Sequence, residues 1–253
     1  SASGTGTADA VVLTAADLTA LGDGVINVSA VATDAAGNAG VAATSSFKLD
    51  TTAPAPALAI ATGEDAYVNA GEATVTLAYT DPQMVVGDVI QLMLGSAALG
   101  TGYTVTAADV TASKVSFTVT KADLGSDGVK SLTAVTTDTV GNVGTSLPLA
   151  VTVDTIAPAG VGIALNADTG RLNADAKTND PVANVSSLEP GATLEYQNDG
   201  EDWQSATGAS FNLTAGTHTY SARQTDVAGN VGKASAAVSL TLDTAPPALL
   251  ASP

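Results

Sequence analysis

The sequence predicts an all-β chain, a row of β-sandwich domains, on three observations. A phrase recurs: TDAAGNAG from Thr33, TDTVGNVG from Thr137 and TDVAGNVG from Thr225. Each is followed by an apolar-alternating run and then by DTTAP, DTIAP or DTAPP from Asp50, Asp154 and Asp243. The opening aspartates Asp34, Asp138 and Asp226 lie 104 and then 88 residues apart, and the closing aspartates 104 and then 89. Two independent markers thus report one period, too long for a solenoid repeat and the size of a small domain. Second, hydrophobic residues make up 45% of the chain but aromatics only 4%, so its cores are expected to be small and aliphatic. Third, turn residues recur every ten positions or so with no long helical period, the pattern of an all-β chain. Helix content is expected to be close to nil.

The glycine inside each TDxxGN supplies the positive φ of a tight connection, and its Asp and Asn side chains bond nearby amides. The phrase is therefore the turn before a last strand, at residues 41–49, 145–153 and 233–242. Pro148 demotes the second of these to an edge or a bulge. Pro54, Pro158 and Pro246 with Pro247 stiffen short linkers. Residues 1–50 then hold the end of one repeat: VVLTAADL at 11–18, the turn LGDGV at 21–25, a strand at 26–33, the phrase and the last strand. Without front strands this region is expected to leave an open sheet edge and an uncovered apolar face, and to be the weakest ordered part. Residues 51–154 form a complete repeat, with strands at 57–60, 73–79, 89–94, 103–105, 115–120, 129–137 and 145–153. Residues 155–245 form another, with strands at 161–165, 182–185, 193–197, 211–213, 217–225 and 234–242. Asn198, Asp199 and Gly200 mark a tight hairpin in it. Residues 246–253 are a linker to a next repeat. Alternation along the sixth strand is expected to bury Val129, Leu132 and Ala134 or their neighbours, with matching patterns at 26–31 and 217–222.

With 25 acidic residues against 8 basic, the net charge is −17. Such a surface repels nucleic acid and anionic membranes and attracts divalent cations. The absence of cysteine excludes disulfides, thiol chemistry and cysteine-ligated zinc. No stretch is apolar enough for a membrane span and no signal peptide is visible. Starting at Ser1 and ending in a linker at Pro253, the chain reads as part of something longer.

TDxxGN, a strand, and then LDTTAP, with ADL and DGV upstream, resembles the bacterial immunoglobulin-like repeats of giant surface adhesins, especially the extender domains of repeats-in-toxin adhesins. The resemblance covers essentially the whole chain, in three phased copies. It implies tandem immunoglobulin-like sandwiches that span distance between a cell-surface anchor and a ligand-binding tip, outside the cell, in adhesion or biofilm formation. It further implies calcium at the domain junctions, with neighbouring repeats of the same chain as partners and a monomeric state.

In such a sandwich the loop between the last two strands lies at the entry pole, and the loop before the sixth strand at the exit pole. At the first junction, linker Asp50 is expected to meet Asp23 behind and Asp138, with Asn142, ahead. At the second, Asp154 is expected to meet Asp127 behind and Asp226, with Asn230, ahead. Calcium takes six to eight oxygens from carboxylates, carbonyls and water, which flexible loops can supply. For the TDxxGN aspartates alone, closure of their own turns is the preferred reading. For Asp50 and Asp154 it is calcium. Asp65, Asn69 and Glu72, and Asp168, Asp175 and Asp180, are secondary candidates whose spacing matches no EF-hand.

Catalysis is not expected. The single histidine, His218, falls in an alternating strand, read as surface-facing, with no nucleophile constellation near it. Trp203 has two readings: plugging the third core, which is preferred, or stacking on a sugar as part of a carbohydrate- or protein-binding module.

Overall fold

A computed structural model describes residues 11–172 and 174–247. The first ten residues of the 1–50 region and the last six of the 246–253 linker lie outside these. No helix among the described residues is long and apolar enough to cross a membrane.

The elements, in order, are α1 (Ala15–Leu21), β1 (Gly24–Ala30), β2 (Ala43–Leu49), β3 (Ala57–Ile60), β4 (Tyr67–Val68), β5 (Thr74–Thr80), β6 (Val89–Leu94) and β7 (Ala97–Thr104). There follow α2 (Ala107–Ala112), β8 (Val115–Thr120), α3 (Lys121–Leu124), β9 (Gly128–Thr137), β10 (Val143–Thr145) and β11 (Leu149–Val153). The remainder are β12 (Gly162–Leu165), β13 (Lys177–Thr178), β14 (Val182–Ser186), β15 (Thr193–Asn198), β16 (Gln204–Ala206), β17 (Ser210–Asn212), β18 (Gly216–Thr225) and β19 (Val238–Leu242). The fold is all-β, of the immunoglobulin-like sandwich class.

β1 and β2 form a two-stranded sheet. The next two sheets run β3-β5-β8 and β4-β11-β9-β6-β7, with β10 on β9; the last two run β12-β14-β17 and β13-β19-β18-β15-β16. Substituting element for element, the last pair repeats the strand order of the pair before it, so the sequence period is also a period of topology. By compactness the chain divides into two units. One is Ser1–Ala59, Ala78–Ser116 and Leu132–Leu149; the other is Ile60–Leu77, Phe117–Ser131 and Ala150–Pro253.

In the first unit β6 pairs antiparallel with β7 and with the Leu132–Thr137 part of β9. Leu132, Ala134 and Thr136 point inward at 0–1% exposure, whereas Val129 is 72% exposed. This corrects the expectation for Val129, because a period of two cannot bury residues 129 and 132 on one face. Buried Tyr79 on β5 reaches Thr136 on β9, their hydroxyls 2.7 Å apart. On the apolar face of β1–β2, Leu49 is buried and Ile26 half-buried, while Val28 and Phe47 are 47 and 39% exposed.

In the second unit the core joins two sheets. Val161, Ala183, Val185 and Phe211, on or beside β12, β14 and β17, pack with Leu194, Tyr220, Ala222, Leu240 and Leu242 of the five-stranded sheet. Each of the valine, leucine and phenylalanine side chains contributes about 1.5–3 kcal/mol on full burial. The Thr214 amide donates to the Tyr220 hydroxyl at 2.8 Å, tying the strand to the chain just upstream as in a tyrosine corner. Asp199 and Gly200, both at positive φ, turn the β15–β16 hairpin. Trp203 is half-buried outside this core, with the Arg223 guanidinium 4.2 Å from its ring centroid, so it does not plug the sandwich.

Two further expectations are corrected. Among the described residues there are three short helices, each opened by a reciprocal Thr–Asp capping box: Thr14 with Asp17, Thr106 with Asp109 and Thr120 with Asp123. The last strands are also shorter than expected. Ser146 and Ser235 hydroxyls accept the amides of Ala134 and Ala222, taking a place in the ladder that a strand carbonyl would fill. Regular pairing resumes after Pro148 at β11, and at β19.

Candidate metal centre at the linker junctions

The linkers are held by the two turns that the sequence points to, through hydrogen bonds. At the first junction Asp23 Oδ1 accepts from the Thr51 amide and hydroxyl, both at 2.8 Å, and Oδ2 from the Thr52 hydroxyl. The Thr52 and then the Thr51 hydroxyl hold the Asp23 carboxyl below its ordinary range. On the other side the Asn142 amide donates to the Asp50 carbonyl at 3.1 Å and to Asp138 Oδ2 at 2.7 Å. Burial pushes the Asp138 carboxyl up, but bonds from Asn142 and the turn amides outweigh it and the net shift is downward.

The second junction repeats the pattern. Asp127 accepts from the Thr155 amide and hydroxyl, and Asn230 donates to the Asp154 carbonyl at 2.8 Å and to Asp226 Oδ2 at 2.9 Å. In both linkers the aspartate Oδ1 accepts the amide two residues on, from Thr52 and Ile156. The last glycine of each phrase admits the linker proline. A Cβ on Gly144 would lie 1.9 Å from the Pro54 carbonyl oxygen, and one on Gly232 2.8 Å from that of Pro158.

Asp23, Asp50 and Asp138 line one cavity of about 300 Å³, and a fourth acid, Asp88, lines it too. Asp88 is 2% exposed, and its Oδ1 is buried with no hydrogen-bond partner. Among the described residues no three acidic or imidazole side chains converge closely enough to hold a metal ion. Most carboxylate oxygens here are turned to threonine hydroxyls and turn amides. The cavity thus carries four carboxylates, of which Asp50 is partly buried and Asp88 fully so.

The secondary acids act locally. Glu72 Oε2 accepts the Asn69 amide, Asp65 that of Tyr67, Asp175 that of Lys177, Asp168 that of Ala176, and Asp180 takes Val182 N and Asn166 Nδ2. Sequence reasoning missed Asp88, the threonines, the asparagine bonds to linker carbonyls and the two glycines. Comparison of the repeats held a signal for the last three, since Thr51 and Thr155, Asn142 and Asn230, and Gly144 and Gly232 recur in phase.

His218 is half-buried rather than surface-facing. Its Nδ1 lies 2.7 Å from Asp199 Oδ2 and its Nε2 3.0 Å from the Ala215 carbonyl, two acceptors that only an imidazolium satisfies together. Asp199 foremost, then Ala215, raises its pKa above the ordinary 6.5. The Thr219 amide and then His218 lower the Asp199 carboxyl from 3.8 to about 2. The histidine contribution to stability is complete below 6.5 and lost as pH rises through the raised value. The aspartate contribution is present above 3.8 and lost as pH falls towards about 2. The hairpin is thus held best between these limits. An NMR titration is expected to find His218 above the free-imidazole value and Asp199→Asn to return it there; an unshifted His218 in the parent chain would refute the pairing.

No protein-family model matches the chain. No curated protein matches it either. Solved structures similar to it include fibronectin(III)-like modules of Clostridium thermocellum CbhA, at 15% identity and TM-score 0.42, covering 73% of this chain and 93% of that one. They also include a Ca2+-stabilized adhesin that helps an Antarctic bacterium reach out and bind ice, at 22% identity and TM-score 0.39, covering 90% of this chain and 58% of that one. A 1.5-MDa bacterial ice-binding adhesin is similar at 20% identity and TM-score 0.40, covering 90% and 77%.

Proposed function

We propose that the chain is a stalk segment of a secreted or surface-attached bacterial adhesin, made of repeats at 1–50, 51–154 and 155–245, with no catalytic role. The observation that carries this is the linker dock used twice: Asn142 on the Asp50 carbonyl with Gly144 against Pro54, and Asn230 on the Asp154 carbonyl with Gly232 against Pro158. A joint repeated in phase with the domain period serves spacing rather than chemistry. The acidic surface keeps such a segment off nucleic acid and anionic membranes.

In this reading Asp23, Asp50 and Asp138 serve the first junction as a calcium site, and Asp127, Asp154 and Asp226 the second. Bound calcium would supply a hard cation that neutralises the carboxylates and bonds to both sides of a linker. The residues themselves set the rest: threonine hydroxyls aim the exit acids at the linker, and the Asx turns fix the entry acids. Extracellular-type sites bind at roughly 10⁻⁴–10⁻³ M, so they fill outside the cell and empty within it.

At about 10 mM calcium each such site stabilises by roughly 1.4–2.7 kcal/mol. A domain of this size gains about 4–8 °C per kcal/mol, so melting several degrees higher in calcium than in chelator is expected. Magnesium is expected to substitute poorly, because it demands compact octahedral geometry and keeps its waters. Identical melting in calcium and chelator would refute the metal part of the reading.

A further inference from the structure

We propose that the loop after β4, residues 69–72, is a seat for the TDxxGN turn of the following repeat, with Asn69 as the residue that reads it. The proposal rests on the reading of 51–154 and 155–245 as separate repeats. Asn69 Nδ2 donates to the Ala228 carbonyl and the Ala70 amide donates to Asn230 Oδ1, both at 2.9 Å. These bonds join one repeat to the next directly, without passing through the linker. Compactness agrees, because Ile60–Leu77 and Phe117–Ser131 fall in one unit with Ala150–Pro253.

The two sides are made for each other. Asn69 Oδ1 accepts the amides of Gly71 at 2.8 Å and Glu72 at 3.2 Å, and Glu72 Oε2 accepts the Asn69 amide at 2.9 Å. With its oxygen engaged inside the loop, the side chain keeps its nitrogen for the turn. Lys121, the first residue of α3, fixes the loop by donating from Nζ to the Asn69 and Ala70 carbonyls at 3.1 and 2.9 Å. On the turn, Asn230 Nδ2 is engaged by the Asp154 carbonyl and by Asp226, which leaves Oδ1 for Ala70. A Cβ on Gly229 would lie 2.9 Å from Asn69 Nδ2, so glycine serves here for close approach as well as for its positive φ. The seat thus reads a backbone carbonyl, a glycine and an asparagine, and every copy of the phrase carries all three.

Exposure separates the turn with a seat from the turn without one. Ala228 and Asn230 are 3 and 5% exposed, whereas Val140, at the place of Ala228, is 54% exposed and Asn142 is half-buried. Among the described residues the sheet ahead of that open turn holds only β1 and β2, with no counterpart of β4 and its loop. The last repeat has such a counterpart. Thr178 pairs with Leu242 as Val68 pairs with Val153, which puts Asn179 at the place of Asn69. Asn179 is exposed and its Oδ1 accepts the Thr169 hydroxyl at 2.9 Å, so its nitrogen too is kept for a turn of the same kind. Two neutral bonds bias a junction without freezing it, and the linker keeps part of its freedom.

The test is hydrogen exchange at the Ala70 amide, read by NMR on the full chain in chelator. In the parent this amide is expected to exchange slowly, because it is bonded across the repeats. Asn69→Asp keeps the oxygen that caps the loop but sets a carboxylate oxygen against the Ala228 carbonyl. Exchange at Ala70 is then expected to rise about tenfold, while the amides of β11 keep their rates. Asn179→Asp makes the same change on the last repeat and is expected to leave Ala70 as it was. Ala228→Val adds bulk to the buried side of the turn without touching the loop, and is expected to speed exchange at Ala70 as well. Should Asn69→Asp unfold its own loop, seen as fast exchange at Gly71 and Glu72, the Ala228→Val arm decides. A merely structural Asn69 that only caps its loop predicts unchanged exchange at Ala70 in Asn69→Asp and in Ala228→Val, and that result overturns the proposal, as does fast exchange at Ala70 in the parent. Faster exchange throughout 51–245 in Asn69→Asp would instead overturn the reading of separate repeats.

Discussion

Replacing Gly144 with alanine is expected to lower the melting temperature of the chain by roughly 10–20 °C, the upper end of what overpacking costs in a domain of this size. The reason is geometric. The new Cβ would sit 1.9 Å from the Pro54 carbonyl oxygen and 2.7 Å from its carbon, both backbone atoms that no rotamer change can move. The linker must therefore leave the turn, and with it goes the Asn142 bond to the Asp50 carbonyl. The equivalent glycines grade the effect. Gly232→Ala meets the Pro158 oxygen at 2.8 Å and should cost less, and Gly40→Ala, 3.4 Å from the Ala32 oxygen, should cost little or nothing. Melting of the Gly144→Ala protein at the parent temperature would mean that the linker does not need this turn.

The repeat period, the turn phrase and most strands were legible because each leaves a signal several residues long. β9 and β18, for example, carry a period-two apolar pattern that only one face can bury. The helices were not read because α1, α2 and α3 span at most two turns, too few for a helical period to show. Only their Thr-x-x-Asp openings marked them. The breaks before β11 and β19 depend on single serine hydroxyls that accept a strand amide, which no propensity records. Trp203 follows a hairpin where either face is open to it, and the Arg223 guanidinium over its ring decided the matter.

At the junctions, the linker aspartates and the turns flanking them could be placed from chain order, since the poles of a sandwich follow from its topology. What chain order could not supply was the burial of Asp88. A Gly-Asp pair ahead of a strand reads as an ordinary turn. Nor could spacing show how fully Asp23 and Asp138 are engaged by Thr51, Thr52 and the amides of their own turn.

The second large effect concerns dimensions in solution. On the proposed reading, like charges at each junction, Asp23, Asp50 and Asp138 at the first and Asp127, Asp154 and Asp226 at the second, would repel without a cation and favour variable linker angles. Each linker is short and stiffened by proline, so the freedom that remains is mainly this angle. On the same reading a cation shared across the linker would select one angle, and the segment would then keep a fixed length. Small-angle X-ray scattering of the full chain in chelator and in millimolar calcium tests this most directly. The account predicts a longer, better-defined maximum dimension in calcium, and loss of part of that gain in Asp154→Ala with the flanking domains still folded. Equal dimensions with and without calcium would contradict it and leave the linker aspartates as the Asx-turn residues that their bonds to Thr52 and Ile156 already make them.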